Sequence, residues 1–100
     1  MTLNQILDNV LAALPSDEAI DVSPGVHADQ ATARAARTRD DRPFVGYTSD
    51  TPADAASISL FHELDDAAAR RVVTRLEGAG LIVDWPDHDP DLRIDVALPA

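Results

Sequence analysis

Cysteine is absent from the 100 residues of the chain. Without thiols there can be no disulfide framework, thiolate zinc site or cysteine nucleophile, and nothing indicates an oxidising compartment. No stretch reaches the roughly 18 apolar residues of a membrane span, and the N-terminus has no basic segment followed by an apolar run. These absences favour a soluble cytoplasmic protein, and the length favours a single domain.

Lysine is also absent, so the positive charge comes from eight arginines, against fifteen aspartates and three glutamates. The formal net charge of −10 repels phosphate backbones at long range and favours basic partners. Exclusive use of arginine, with abundant alanine, aspartate, valine and proline, is typical of a GC-rich genome such as that of an actinobacterium or one of its phages. A phage-encoded protein would act in the host cytoplasm.

Aromatic residues are few: Phe44, Tyr47, Phe61 and Trp85. The core must therefore be built mostly from leucine, valine, isoleucine and alanine. We expect at least two of the four aromatic side chains to serve in that core. Trp85, which stands at the start of an acidic segment, is the aromatic residue best placed to anchor a partner.

Two helices are predicted in the first half of the chain. The first begins at Thr2, which forms a capping box with Gln5, and ends at Pro15. Its apolar positions repeat at helical spacing: Leu3, Ile6, Leu7, Val10, Leu11 and Leu14. The second, over residues 27–38, rests on its alanine-rich composition. Residues 16–25 are predicted as a loop or a brief edge strand.

The middle of the chain is ambiguous. Residues 44–47 form an aromatic and β-branched run that predicts an edge strand. In residues 57–64 the apolar side chains fit both strand alternation and helical spacing. Thr51 as N-cap and Pro52 at the first helical position favour a helix over residues 52–63, with a strand as the alternative.

The last third predicts a helix followed by a β-hairpin. Asp65 and Asp66 cap the helix, which ends near Gly80. Its apolar stripe is Ala69, Val72, Val73 and Leu76, and its arginines mostly face outward. Apolar residues then alternate with polar ones over residues 81–85 and 92–98, which predicts two strands with one buried face.

The order helix, turn, helix and hairpin in residues 52–98 resembles the winged helix-turn-helix of the MarR family of regulators. The resemblance to the recognition helix and its exit lies in Leu64-Asp65, Arg71-Val72-Val73, Arg75-Leu76-Glu77 and Gly80-Leu81-Ile82. The resemblance to the wing and its returning strand lies in Pro86, Asp87 and Asp89, followed by Ile94, Val96 and Leu98. It implies a small dimeric DNA-binding regulator in which Arg70, Arg71 and Arg93 touch phosphates.

The departures from the family fall where DNA would be contacted. The start of the second helix reads Asp65-Asp66-Ala67-Ala68-Ala69 and offers no donors for base edges. The wing tip reads Asp87-His88-Asp89-Pro90-Asp91 and is acidic where the family tends to carry arginine. These groups favour a protein partner over nucleic acid.

No catalytic, cofactor or metal site is predicted. Residues 87–91 resemble the start of a calcium loop but lack the glycine and the glutamate that complete one. His62 beside Glu63, and His27 near Asp29, stand without an evident serine or cysteine nucleophile. The basic cluster consists of Arg34, Arg37, Arg39 and Arg42. Its arginines are predicted to pair with Asp29, Asp40 and Asp41, or else to bind phosphate or an acidic partner.

The sequence thus predicts an α+β single domain, with N-terminal helices and loops in residues 1–50 and a winged-helix-like unit ending in a hairpin in residues 51–100. A split β-α-β two-layer sandwich is the alternative if residues 57–62 form a strand. We expect a non-enzymatic interaction module that binds a basic partner or mimics nucleic-acid charge through Trp85, Asp87, Asp89, Asp91, Asp65 and Asp66. The alternatives are a MarR-like regulator and a structural component of a phage assembly, with the Leu3–Leu14 helix packing on a neighbour or a second copy.

Overall fold

The computed structural model describes residues 2–36, 42–85 and 93–99. Its first helix, α1 (Leu3–Asp17), starts where predicted, because Thr2 and Gln5 form the capping box. The Thr2 hydroxyl accepts a hydrogen bond from the Gln5 backbone N–H (3.2 Å), and the Gln5 side chain accepts one from the Thr2 N–H (2.9 Å). The prediction that Pro15 ends the helix is wrong. Pro15 lacks only its own N–H and removes a single bond of the ladder, so the helix continues to Asp17.

The segment after α1 forms an edge strand and a short helix. β1 (Asp21–Pro24) is an edge strand, which is one of the two alternatives predicted for residues 16–25. α2 (Gln30–Ala36) starts later than predicted because the Asp29 carboxylate caps it, accepting a hydrogen bond from the Thr32 N–H at 2.7 Å. This bond lowers the pKa of the Asp29 carboxyl. The predicted end of the helix lies outside the described residues.

β2 (Phe44–Tyr47) is an inner strand, so the prediction of an edge strand is wrong. It pairs in parallel with β1, where Ser23 stands opposite Gly46, and antiparallel with the following strand. A Cβ on Gly46 would lie 2.4 Å from the Ser23 carbonyl oxygen, so only glycine fits where the two strands approach. Local sequence does not encode this pairing, since the segment between the two strands separates the partners along the chain.

β3 (Ser57–Glu63) replaces the helix predicted over residues 52–63, and the strand alternative is correct. Pro52 starts only a turn, in which the Ala55 N–H donates to its carbonyl (3.2 Å). β3 is paired on both sides, and its residues alternate between buried Ile58 and exposed Ser59. Ladder bonds to two neighbours outweigh a local helix-start signal.

The C-terminal helix and hairpin form as predicted. α3 (Asp66–Gly78) is capped by Asp65, and β4 (Ile82–Asp84) pairs antiparallel with β5 (Ile94–Ala97). β5 also pairs with β3, which gives a five-stranded sheet in the order β1-β2-β3-β5-β4. Because residues 57–63 are a strand, a strand rather than a helix precedes α3, and the first helix of the predicted helix-turn-helix is not formed.

The α+β class is confirmed, with helices on both faces of one mixed sheet. α1 and α3 cover one face and form the main core with the inward residues of the strands, including Val45, Leu60 and Ile94. α2 lies on the other face, where Ala33 packs with Phe44 and Phe61. All four aromatic side chains are buried, which confirms the expectation that at least two belong to the core.

The apolar side of α1 is used within the chain. Leu3, Leu7, Leu11 and Leu14 are at most 1% exposed and belong to the main core. These four side chains are therefore taken up by the core, and Ile6 and Val10 beside them are partly buried against it. Within residues 2–36, 42–85 and 93–99, no helix has the length and apolar character that crossing a bilayer requires.

Candidate functional site

The two aspartates at the start of α3 serve the helix itself. The Asp65 carboxylate accepts a hydrogen bond from the Ala68 N–H at 2.7 Å, as an N-cap does. Asp66 lies one turn before Arg70, and their side chains pair at 2.8 Å. Both residues are exposed. Their carboxylates therefore have structural partners at the place where the sequence predicts partner contact.

The predicted aromatic anchor lies in the core. Trp85 is 7% exposed and packs in the main cluster at the end of β4. A partner could contact its indole only if the side chain left this cluster. The predicted contacts Asp87, Asp89 and Asp91 lie outside the described residues, as does the loop considered for calcium. Elsewhere in the described part of the chain, no cluster of three or more metal-ligating side chains occurs.

The arginines that the MarR resemblance assigns to phosphate contact divide into two groups. Arg70 and Arg71 lie on the exposed side of α3, where Arg71 pairs with Glu18 at 2.9 Å. Arg75 joins them by pairing with Asp17 and Glu18, both at 3.2 Å. These pairs tie the end of α1 to α3. Arg93 is exposed immediately before β5.

Two arginines of the predicted basic cluster, Arg34 and Arg42, have carboxylate partners among the described residues. Arg34 pairs with Glu63 at 3.0 Å, and Arg42 pairs with Asp21 at 3.3 Å. Arg37 and Arg39 lie outside the described residues, as do Asp40 and Asp41. Among the described arginines, those with a carboxylate of this chain within ion-pair distance are Arg34, Arg42, Arg70, Arg71 and Arg75.

The histidines considered for catalysis have other roles. The His62 ring accepts a hydrogen bond from the Leu64 N–H at 3.2 Å, and Glu63, its neighbour on the strand, points to the opposite face and binds Arg34. Asp29, near His27, caps α2. In both pairs the acidic residue is therefore bound elsewhere, Glu63 to Arg34 and Asp29 to the start of α2.

An exposed acidic surface lies where α2 does not cover the sheet. We call it the open sheet face, and it consists of Ser57, Ser59, Ile82, Asp84, Asp95 and Ala97. These residues point away from the main core, because their neighbours along each strand, such as Ile58 and Val96, point into it. Ile82 is a large apolar side chain of this surface, and it is 54% exposed to solvent. The surface thus combines an apolar contact with carboxylates.

Two carboxylates of the open sheet face stand directly opposite each other. Asp84 on β4 pairs in register with Asp95 on β5, and both are exposed. Cross-strand neighbours have Cβ atoms about 5 Å apart, and like charges in this position destabilise a sheet. No ion pair to either carboxylate occurs among the described residues. The pair therefore concentrates negative charge that no ion pair within the described part of the chain neutralises.

Sequence reasoning missed this pair although a signal for it existed. The alternation that predicts the hairpin puts Asp84 and Asp95 on the polar side of their strands. Only the register makes them neighbours, and the register depends on the loop that joins the strands. The two aspartates also flank the predicted acidic tip, since the segment from Asp84 to Asp95 contains five aspartates and one arginine.

Comparison with known proteins gives no relative from which a role could be transferred. No protein-family model matches the chain, and no curated protein or solved structure is significantly similar to it.

Proposed function

We propose that this protein is a non-enzymatic interaction module that binds a basic segment of another protein, with the open sheet face as the contact surface. The observation that carries the proposal is the distribution of ion pairs. Positive charge on the described surface is mostly held by carboxylates of the same chain, whereas Asp84 and Asp95 face each other unneutralised. A cation placed between the two carboxylates would remove their repulsion and gain two attractive contacts.

The shape of the surface supports the same proposal. A strand-built face is flat and rigid, and such faces suit protein contacts better than enclosure of a small molecule. Exposed Ile82 supplies apolar area beside the carboxylates. Protein interfaces commonly combine an apolar centre with a polar rim in this way. The net charge of −10 would accelerate the approach of a basic partner and slow that of a nucleic acid.

The test measures binding of a synthetic peptide of alternating arginine and serine to the full chain by calorimetry. We expect binding that weakens as salt is added, because the contact is electrostatic. Changing Asp84 and Asp95 together to asparagine should weaken it about tenfold, the loss of two charge-assisted contacts. The double variant should also be at least as stable as the wild type, since it removes a like-charge pair.

A matched control separates a local site from general attraction. Asp54→Asn with Glu77→Gln removes the same net charge from exposed positions in the β2–β3 connection and on α3. This variant should bind within about twofold of the wild type. Equal weakening in both double variants would contradict the proposal, because the peptide would then respond to net charge alone.

The MarR-like alternative predicts a different result in the same experiment. A DNA duplex of equal charge should bind weakly or not at all if the module is specific for basic protein segments. Nanomolar, sequence-dependent binding of a duplex at physiological salt, weakened by Arg71→Ala, would replace our proposal with the regulator.

A further inference from the structure

A pocket of about 250 Å³ lies between β1 and α2. It is at the β1 edge of the sheet, whereas the open sheet face is at the edge formed by β5 and β4. Its polar lining comes from Asp21, Ser23 and His27, and its apolar lining includes Ala33 and Phe44. Asp21 and Ser23 are alternate residues of one strand and therefore point to the same side of the sheet. The pocket brings a carboxylate, a hydroxyl and an imidazole to one apolar cleft.

Two polar atoms of this pocket are buried without a hydrogen-bond partner. Ser23 is 6% exposed, and its Oγ has no partner; the same is true of Oδ2 of Asp21. The other carboxylate oxygen, Oδ1, accepts from Arg42 at 3.3 Å. Buried polar groups in proteins are nearly always hydrogen-bonded, so each exception needs an explanation. Three such atoms occur among the described residues, and two of them, Asp21 Oδ2 and Ser23 Oγ, line this cleft, while the third, Asn4 Oδ1, lies elsewhere.

Gly46 explains how the Ser23 side chain finds room there. It lies opposite Ser23 in the β1–β2 register, and a Cβ at Gly46 would approach Ser23 Cβ to 2.8 Å. The same Cβ would lie 3.1 Å from the ring of Phe61. The glycine therefore leaves room for the Ser23 side chain and for the Phe61 ring, which packs against Phe44 of the pocket lining.

We propose that this pocket binds an ammonium or guanidinium group at the end of an aliphatic stem. A carboxylate oxygen can only accept, so whatever satisfies Asp21 Oδ2 must donate a hydrogen bond. Ser23 Oγ can accept a second one, and the walls at Ala33 and Phe44 suit methylene groups. The volume is below that of pockets for drug-sized ligands, which fits one side chain rather than a larger compound.

The cation has two sources with the same chemistry. It is either a free small amine or the lysine or arginine side chain of a basic protein segment, and in the second case the inference rests on the proposed function. The two binding regions are separate, because Asp84 and Asp95 are on β4 and β5 while the pocket is at β1. Variants in one region can therefore be read independently of the other.

The test is an NMR titration of the full chain with N-acetyl-lysine methylamide and N-acetyl-arginine methylamide. The neutral N-acetyl-norleucine methylamide is the matched control. We expect the charged compounds to bind in the millimolar range and to shift the amide signals of Ser23, Ala33 and Gly46. The neutral compound should bind at least about tenfold more weakly, because it lacks the charge-assisted bond to Asp21.

Variants identify the groups responsible. Ser23→Ala should weaken binding of the charged compounds several-fold, and Asp21→Asn more strongly, by about tenfold. Glu77→Gln, at an exposed position on α3 outside both regions, should leave it unchanged. Because Asp21→Asn also alters the Arg42 pair, Ser23→Ala keeps the test decisive if the first variant folds poorly.

Each outcome has a definite meaning. If the free compounds bind, small amines suffice; if only the arginine-serine peptide shifts the pocket signals, the cation comes from a partner. If the pocket signals shift but the Asp84 and Asp95 double variant binds the peptide as well as the wild type does, this inference is retained and the proposed function is rejected. The inference is overturned if neither compounds nor peptide shift these signals, if the neutral compound acts equally, or if Ser23→Ala changes nothing.

Discussion

Replacing Gly46 with alanine tests the closest strand contact in the fold. The new Cβ would lie 2.4 Å from the Ser23 carbonyl oxygen, 2.8 Å from Ser23 Cβ and 3.1 Å from the Phe61 ring. The first of these contacts is to backbone, which cannot rotate away as a side chain can. The strands must therefore separate locally, which lengthens the β1–β2 hydrogen bonds around Ser23.

The expected magnitude combines two opposing effects. Alanine is intrinsically better than glycine within a strand by about 0.5–1 kcal/mol. Overpacking a filled site costs about 1–3 kcal/mol and more where backbone must move. We expect the steric cost to win, with a net loss of about 2 kcal/mol in the free energy of unfolding. For a domain of this size that corresponds to a fall of about 10 °C in the melting temperature.

Urea and thermal unfolding followed by circular dichroism measure this loss. Gly78→Ala is the matched control, because nothing lies within 4 Å of its added Cβ at the end of α3. That variant should gain up to about 1 kcal/mol through helix propensity. If Gly46→Ala were as stable as the wild type, β1 could not lie as close to β2 as described, and the lining of the pocket would also be wrong.

Three further variants test other parts of the fold. Ala19 has a φ of 54°, a left-handed conformation that costs an L-residue about 1–2 kcal/mol; Ala19→Gly should raise the urea midpoint, and a lower midpoint would contradict this backbone. Ser23→Ala removes a buried hydroxyl without a partner, so the free energy of unfolding should stay unchanged or rise by up to about 1 kcal/mol; a clear loss would reveal a partner for Oγ. Burial and the hydrogen bond to Asp8 raise the pKa of Tyr47 above its usual 10.0, so the unfolded chain releases this proton first. The wild type should therefore lose stability as the pH rises above that value, and thermal unfolding of Tyr47→Phe on both sides of it should lack this component.

Local patterns were sufficient for the elements that local interactions decide. α1 and α3 have apolar stripes and capping residues within their own sequence, and both caps form as expected. The hairpin of β4 and β5 follows from alternation over two neighbouring segments. In each of these elements the relevant partners are close in sequence, so propensity and tertiary packing agree.

The errors arise where partners are distant along the chain. Thr51 and Pro52 give a valid helix-start signal, but residues 57–63 gain two strand neighbours, β2 and β5, that a single window does not reveal. β2 was misassigned as an edge for the same reason, since its partner β1 precedes it by about twenty residues. The helix-start signal at Thr51 and Pro52 therefore produces only a turn before β3.

The same limit applies to the candidate site. The sequence indicates an acidic surface for protein contact that includes Asp65 and Asp66, which cap and brace α3, and Asp87, Asp89 and Asp91, which lie outside the described residues. The exposed opposed pair, Asp84 and Asp95, depends on strand register and could not be read from either segment alone. The pocket beside Ser23 needs β1, β2 and α2 together, which no local pattern predicts.

The two proposed regions share one physical property, which argues that both are there for binding. Asp84 opposite Asp95 destabilises the hairpin, and the Ser23 hydroxyl without a partner destabilises the sheet, since each group would be more stable in water or with a partner. Single substitutions to asparagine or alanine would relieve either cost without disturbing the fold. A stable scaffold has no use for such groups, whereas a cation bound at either place would satisfy them. Under both proposals the cost in the free protein would become affinity in the complex, and both regions would take the same ligand chemistry.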